Sequence, residues 1–157
     1  MTTDPCADRF GPVLEALLAC ADAALTDCGV PAGRVSLSPG SLVAWDDCCD
    51  GQLWVRIVGV TPLQTVPCAY TSLNLQVGVG IIRCVHVLTD NGDAPTPEEL
   101  TADTLLGTKD ASILLNAITC CELPGVNNRG IRVTNGTPLG AQGGCAGWEW
   151  LMTVPVL

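Results

Sequence analysis

The chain has 157 residues, a length that suits one domain, and its 48% hydrophobic and 15% charged content excludes a disordered protein. Sixteen acidic and seven basic residues give a net charge of −9, which argues against a surface that grips nucleic-acid phosphates or an anionic membrane. No apolar run approaches the roughly 20 residues of a membrane span, and the acidic N-terminus does not resemble a signal peptide. We therefore expect a single domain over residues 1–157 that does not bind membranes.

Two segments carry the signatures of amphipathic helices. Apolar residues recur at helical spacing over residues 12–28, and Gly29 ends the run, so a first helix is predicted there. Thr96 can cap a second helix, and Glu99 three residues later completes a capping box. The second helix is predicted over residues 97–121.

The segment between these helices begins with a predicted hairpin. Residues 41–46 and 52–60 alternate between apolar and other side chains, as half-buried strands do. Asp50-Gly51 between them favours the positive backbone dihedrals of a tight turn. We therefore predict a hairpin with an acidic tip, followed by a loop over residues 61–69.

The longest periodic run of the sequence covers residues 72–88. Its alternate positions are apolar, with Arg83 as the exception. A strand of this length would span about 50 Å, whereas ordinary strands have roughly 3 to 10 residues. The strand therefore either bends, at Gly78 or Gly80, or extends beyond its own core, and an overhanging strand usually has a neighbour to pair with.

Shorter segments complete the predicted sheet. Residues 34–37 and 131–134 are possible short strands, Asn135-Gly136 is a predicted turn, and residues 148–155 form a final strand. The order of these elements predicts an α+β fold, in which an antiparallel or mixed β-sheet carries two main helices packed on one face.

The sequence contains no recognisable catalytic or cofactor-binding motif. The acidic turn that starts at Asp46 places Gly51 at the sixth position of a calcium loop, but Cys48 and Ile57 occupy positions that need oxygen ligands. His86 is the single histidine, and no acid–base partner lies near it in sequence. A nucleophile elbow and a phosphate-binding glycine loop are missing. We therefore expect a protein that is not an enzyme and uses no cofactor.

The ten cysteines allow three interpretations. They are Cys6, Cys20, Cys28, Cys48, Cys49, Cys68, Cys84, Cys120, Cys121 and Cys145. Some of them, such as Cys20, Cys28 and Cys84, would be small apolar core residues. One or more disulfides formed after release from the cell are the second interpretation. Zinc binding is the third, and the vicinal pairs suit it poorly because zinc sites usually show Cys-x2-Cys or Cys/His pairs.

Three segments carry a resemblance to a known family. They are the run Trp45–Arg56, the strand Leu73–Cys84 and the closing segment Gly143–Trp150. Together they resemble the small neck proteins of long-tailed phages that infect actinobacteria, and most of all their tail terminators. The resemblance implies a helix-flanked sheet in a structural virion protein without enzymatic activity.

The same resemblance implies a set of partners. A tail terminator would form a hexameric ring that caps the major tail tube protein and joins the tube to the head-to-tail stopper or connector protein. DNA would pass through the ring without specific binding, and the protein would be assembled in the host cytoplasm and located in the virion neck. A stopper or adaptor ring of the same neck is the alternative, and a cysteine-based metal-binding module is a further one.

These expectations select candidate residues. The length of the long strand predicts a contact with a neighbouring subunit, for which the candidates are Trp45, Arg56, Val77 and Val79. An acidic channel would repel DNA at short range and let it slide. The candidates to face such a channel are Asp46, Asp47, Asp50, Asp90 and Asp93.

Overall fold

The computed structural model describes residues 6–40, 43, 45, 48–66 and 69–156, and their side chains except at 64–66, 69–71 and 128. Its main elements are α1 (Gly11–Asp27), β1 (Arg34–Ser38), β2 (Gln52–Val66), β3 (Ala69–Cys84), α2 (Pro97–Cys120), β4 (Arg132–Gln142) and β5 (Cys145–Val156). Short 3-10 turns occupy Cys48–Asp50 and Asn128–Gly130. The fold is α+β, as the sequence predicts.

The five strands form one mixed sheet in the order β1-β2-β3-β5-β4. β1 runs parallel to β2, and the other neighbouring strands are antiparallel. β3 therefore occupies the centre of the sheet, and its pairing with β5 is continuous from Leu73 to Cys84.

Local signals set the helix boundaries. The Thr96 hydroxyl accepts a hydrogen bond from the Glu99 amide, and the Glu99 carboxylate accepts one from the Thr96 amide, which forms the predicted capping box at the start of α2. At the start of α1 the Asp8 carboxylate accepts hydrogen bonds from the amides of Gly11 and Phe10, which hold the pKa of Asp8 below its ordinary value. Both helices were predicted correctly, to within about one residue at each end.

The core lies between the two helices and one face of the sheet. The helices contribute Val13, Leu17, Ala21 and Leu25 from α1 and Leu114 and Ile118 from α2. The sheet contributes Leu53, Val55, Leu73, Leu75, Val77, Val79, Ile81, Met152, Val154 and Val156. Full burial of one such side chain stabilises a fold by roughly 1.5–3 kcal/mol, so this layer holds both helices on one face of the sheet.

The hairpin predicted from residues 41–46 and 52–60 is wrong. β2 pairs on that side with β1, in parallel. Of the predicted partner strand, Val43 and Trp45 are described and lie outside any strand, while the remaining residues lie outside the described part of the chain. Val43 and Trp45 instead pack against a small apolar cluster that contains Trp54. Alternation over so short a segment does not separate a strand from a loop that covers a sheet.

The loop predicted over residues 61–69 is also mostly strand. β2 continues to Val66 and β3 begins at Ala69, so the two strands form one long hairpin. Register shifts in β2, one of them directly after Pro62, let the strand continue past a residue that cannot donate to the ladder. At its other end β3 stops at Cys84, before the predicted end at residue 88.

The C-terminal hairpin is longer than the sequence predicts. Asn135-Gly136, predicted as a turn, lies within β4 beside a register shift against β5. The turn is made by Gly143 and Gly144, with φ angles of 57° and 78°. Glycine adopts this backbone region without the steric cost that a side chain brings, so the glycine pair favours a turn at this position.

Two glycines, Gly78 and Gly80, leave the middle of one face of the central strand without side chains. We call this face, which is turned away from α1 and α2, the open face. A β-carbon at Gly80 would overlap the indole of Trp54 from β2, and one at Gly78 would lie 2.6 Å from a carboxylate oxygen of Glu149 from β5. The pairing of β3 with β5 continues through both glycines without a register shift. The glycines provide space for side chains that cross β3 from its two neighbours.

Replacing Gly80 by Ala should lower the free energy of unfolding by about 1–3 kcal/mol, because the added methyl group must displace Trp54. Gly140→Ala in β4 is the control: nothing lies within 4 Å of its β-carbon position, so its effect should stay within about 0.5 kcal/mol. Urea unfolding measures both. Equal stability of the two variants would contradict the close approach of Trp54 to Gly80.

Candidate interaction surface and cysteine cluster

A shielded ion pair crosses the open face above the two glycines. The Glu149 carboxylate accepts hydrogen bonds from Arg56 Nε at 2.6 Å, from Arg56 Nη2 at 2.8 Å and from Trp54 Nε1 at 3.0 Å. The side chains of Arg56 and Glu149 are 13% and 11% exposed. Two-pronged Arg–carboxylate pairs are among the stronger hydrogen-bonded contacts in proteins, and this one joins β2 to β5 across β3.

This environment changes the acidity of Glu149. Burial opposes its ionisation, but the hydrogen bonds from Arg56 and Trp54 and the positive charge of Arg56 outweigh burial and hold the pKa of Glu149 below its ordinary value. The hydrogen bond to Glu149 also raises the pKa of Arg56. The pair is therefore charged at neutral pH.

A shallow depression of about 490 Å³ lies beside this ion pair. Its lining residues are Val43, Trp45, Trp54, Arg56, Leu139, Gln142 and Glu149. Trp45 and Arg56, two of the predicted interface residues, thus lie together on the open face. Aromatic residues and arginine are enriched in protein–protein interfaces, so the depression is a candidate contact surface.

The other two predicted interface residues do not belong to this surface. Val77 and Val79 are 0% exposed and lie in the core under the helices. The prediction that they contact a neighbouring subunit is therefore wrong. Strand periodicity separates the two faces of β3 correctly, but it does not say which face the helices cover.

The predicted channel-facing acids occupy separate places. Asp50 ends the 3-10 turn before β2, whereas Asp90 and Asp93 lie in the loop between β3 and α2, and all three are exposed. The start of β2 and the end of β3 lie at the same end of the sheet because the strands are antiparallel. Asp46 and Asp47 lie outside the described residues. The orientation of these acids toward a channel stays a prediction.

The hairpin of β2 and β3 overhangs the opposite end of the sheet. β5 pairs with β3 no further than Leu73, and β1 pairs with β2 no further than Arg56. Beyond Arg56 the outer edge of β2 has no strand partner among the described residues. Val58, Val60 and Leu63 in this part of β2 are 37%, 40% and 56% exposed. Exposed apolar side chains beside an unpaired edge indicate a contact site for another chain.

His86 has a partner that its sequence neighbours do not reveal. Asp103 on α2 accepts a hydrogen bond of 2.7 Å from the His86 amide and lies 3.0 Å from His86 Nδ1. The other ring nitrogen is 3.8 Å from a carboxylate oxygen of Glu99. The ring contacts shown among the described residues are therefore with two carboxylates, those of Asp103 and Glu99. The His–Asp pair fastens the segment after β3 to α2, beside a cavity of about 320 Å³.

Arg83, the polar exception in the long strand, joins three elements. Its guanidinium donates to both carboxylate oxygens of Asp110 on α2, at 2.6 and 3.1 Å, and to the carbonyls of Val30 and Pro31 after α1, at 2.6 and 3.2 Å. Asp110 is 2% exposed. Loss of either charged partner would leave the other without its counter-ion in a shielded site, which is strongly destabilising.

Six of the described cysteines form three disulfides: Cys20–Cys121, Cys48–Cys145 and Cys49–Cys84. The interpretation of Cys20 and Cys84 as core thiols is therefore wrong, and Cys28 is exposed rather than buried. Cys20–Cys121 joins α1 to the end of α2 over a sequence separation of 101. Closing a loop of this length restricts the unfolded chain, and in the chain-entropy model this stabilises the fold by about 4.7 kcal/mol. The two remaining disulfides lie side by side at the end of the sheet opposite the overhanging hairpin.

A search against models of protein families finds no match to this chain, and a comparison with curated proteins finds none. In the part of the chain that the structure describes, no helix is long and apolar enough to cross a membrane. The candidate interaction surface is inferred from the geometry of this chain, since neither comparison supplies a relative.

Replacing Glu149 by Gln should lower the free energy of unfolding at pH 7 by about 3 kcal/mol, because Arg56 loses its carboxylate partner in a shielded site. The difference from the parent protein should shrink as the pH falls. A carboxylate with a depressed pKa stabilises the fold above its unfolded pKa of about 4.3, and that stabilisation is lost as the pH falls through its folded pKa.

Urea unfolding of both proteins between pH 7 and about pH 3 measures this effect. Asp90→Asn, which removes an exposed loop carboxylate, is the matched control and should change stability by less than about 0.5 kcal/mol at pH 7. A difference between Glu149→Gln and the parent protein that does not depend on pH would contradict the role assigned to the ionised pair.

Proposed function

We propose that this chain is a structural protein of a phage virion, a tail terminator that forms a hexameric ring, caps the tail tube and joins it to the head connector. The segments Trp45–Arg56, Leu73–Cys84 and Gly143–Trp150 support the proposal by their resemblance to neck proteins of long-tailed phages. The observation that carries it is the overhanging hairpin of β2 and β3, whose outer edge is unpaired among the described residues.

A ring needs two different complementary surfaces on each chain, because every subunit contacts one neighbour on each side. The overhanging hairpin supplies one surface, with Val58, Val60 and Leu63 exposed. The depression lined by Trp45 and Arg56 supplies the other, near the opposite end of the sheet. In the proposed ring the hairpin of one subunit packs on the open face of the next.

The contact in this proposal is made by side chains more than by a shared β-ladder. Pro62 lacks an amide hydrogen, and register shifts after Ile57 and Pro62 interrupt the edge of β2. Such interruptions discourage indiscriminate strand addition. Apolar side chains beside an interrupted edge favour a defined partner over aggregation.

A stopper or adaptor ring of the same neck is the alternative function. A stopper or adaptor would form its ring through the same kind of subunit contact. Its partner would be the head connector, whereas a tail terminator binds the end of the tail tube. Neither role includes a catalytic step. The three disulfides suit a particle that leaves the reducing cytosol for oxidising surroundings.

Leu63→Lys should convert rings into subunits, because it places a charge in the proposed apolar contact. Leu105→Lys on α2 is the matched control: Leu63 is 56% exposed and Leu105 is 64% exposed, and the second leucine lies outside the proposed contact. Multi-angle light scattering measures the assembly mass of each variant. Electron microscopy of tail tubes mixed with each protein shows whether the tube ends are capped.

We expect the parent protein and Leu105→Lys to assemble and cap tubes, and Leu63→Lys to do neither while keeping its fold. A parent protein that stays monomeric and leaves tube ends uncapped would overturn the proposal. Rings that bind purified head connectors and ignore tail tubes would assign the stopper or adaptor role.

The isolated protein should not bind DNA at low salt. Its sixteen acidic and seven basic residues leave no excess of positive charge to hold phosphates through counter-ion release, and a conduit must let DNA slide. Fluorescence anisotropy of a labelled duplex titrated with the protein measures this, with a basic DNA-binding protein as positive control. Micromolar binding would contradict the sliding-channel interpretation and favour a nucleic-acid-binding function.

A further inference from the structure

Four cysteines from three separate segments meet at one end of the sheet. Cys48 and Cys49 are consecutive in the 3-10 turn before β2, Cys84 ends β3, and Cys145 begins β5. Cys48 is bonded to Cys145 and Cys49 to Cys84. The sulfurs of Cys48 and Cys84, which belong to different disulfides, are only 3.8 Å apart. We call these four residues the four-cysteine cluster.

Backbone pairing positions this cluster independently of its disulfides. Cys84 and Cys145 are opposite residues in the ladder between β3 and β5, and the Val85 amide donates a hydrogen bond of 2.9 Å to the Gly144 carbonyl beside them. The 3-10 turn is closed by a 2.9 Å bond from the Gly51 amide to the Cys48 carbonyl. Strand pairing and turn geometry therefore keep the four side chains together when the disulfides are reduced.

The cluster has a buried side and an exposed side. Cys48 and Cys145 are 2% and 8% exposed, and they pack against Trp54 and Ile82 in the small apolar cluster of the open face. Cys49 and Cys84 are exposed. An ion can therefore enter from solvent, while the apolar side shields it from water.

We propose that the four-cysteine cluster, when reduced, is a tetrahedral site for a thiophilic divalent cation, best filled by Zn²⁺. Four thiolates in a tetrahedron are the ligand set and geometry that select zinc over harder ions. With Zn–S bonds of about 2.3 Å, the sulfurs of such a site lie about 3.8 Å apart. Cys48 and Cys84 already have this separation.

The remaining change is small. The two bonded sulfur pairs must separate by roughly 2 Å, the difference between a disulfide bond and the sulfur spacing of a zinc site. Rotation about side-chain dihedrals supplies movements of this size. The sequence argued against zinc because Cys48 and Cys49 are adjacent, but in the structure their bonded partners, Cys145 and Cys84, are brought together by neighbouring strands.

The chemistry makes the metal and the disulfides alternative states of the same sulfurs. Two equivalents of a dithiol reductant break the two disulfides and give four thiols. Binding of Zn²⁺ then displaces four protons and leaves a tetrathiolate site of net charge −2. An oxidant that accepts four electrons from the four thiolates restores both disulfides and so removes all four ligands, which releases the cation. In the disulfide-bonded structure the described residues contain no group of three or more side chains arranged to hold a metal ion.

Cobalt binding by the reduced protein tests the proposal. Co²⁺ in a tetrahedral thiolate site gives charge-transfer absorption in the near ultraviolet and intense bands in the visible region. We expect these bands to saturate at one Co²⁺ per chain and to disappear when Zn²⁺ is added. Oxidised protein with intact disulfides should not show them.

Variants assign the ligands. Cys48→Ser and Cys84→Ser should each weaken Co²⁺ binding by more than the roughly 10–100-fold typical of losing an outer-shell partner. The matched controls are the double replacement of Cys20 and Cys121 by Ser, which removes a disulfide with only two sulfurs, and the double replacement of the exposed Cys28 and Cys120. Both controls should bind Co²⁺ as the parent does.

A measurement on the unaltered chain guards against variants that fail to fold. Reduced protein loaded with Zn²⁺ and treated with iodoacetamide should be alkylated at Cys28 and Cys120 and protected at the four-cysteine cluster, as read by peptide mass spectrometry. Folded reduced protein that shows no tetrahedral cobalt bands would overturn the proposal. Unprotected cluster cysteines, or undiminished bands in Cys48→Ser, would overturn it as well.

Discussion

The fold depends on the absence of side chains at Gly78 and Gly80 on the central strand. Their missing β-carbons let Trp54 and Arg56 from one neighbouring strand reach Glu149 on the other. The ion pair sits low enough on the sheet to be largely shielded, so each charge requires its partner. The lack of side chains at two positions of β3 thus sets the arrangement of side chains from β2 and β5. It also places a charged pair, Arg56 and Glu149, at the centre of the open face.

The two faces of the sheet have different physical roles. The helix-covered face is an apolar layer closed at one end by Arg83 and Asp110, which join β3 to α2 and to the segment after α1. The open face carries the depression near Trp45, and the exposed apolar side chains of the long hairpin lie along β2 beyond Arg56. Stability resides mainly in the first face, which leaves the second free to contact other chains.

The two ends of the sheet differ as well. At one end the hairpin of β2 and β3 extends past its neighbours and exposes apolar side chains. At the other end the turn Gly143-Gly144 and the 3-10 turn Cys48–Asp50 bring four cysteines together. Within one chain, the exposed end of the hairpin and the four-cysteine cluster are therefore separated by the length of the central strands. Cys48 and Cys145 pack with Trp54, Trp45 and Leu139, which also line the depression. A change in the redox state of the cysteines would therefore act beside the surface proposed to receive the hairpin of the next subunit.

The sequence by itself determined the helices, the α+β class and the unusual length of the central strand, because caps, helical spacing and strand alternation are local properties. Only the tertiary structure decided that Val77 and Val79 are core, that β1 takes the place of residues 41–46 beside β2, and which cysteines pair. It also found Asp103 beside His86 and Glu149 beside Arg56, residues 17 and 93 positions apart in the chain. Periodicity gives each strand two faces without naming the covered one, and contacts between distant residues depend on strand order, which no local pattern encodes.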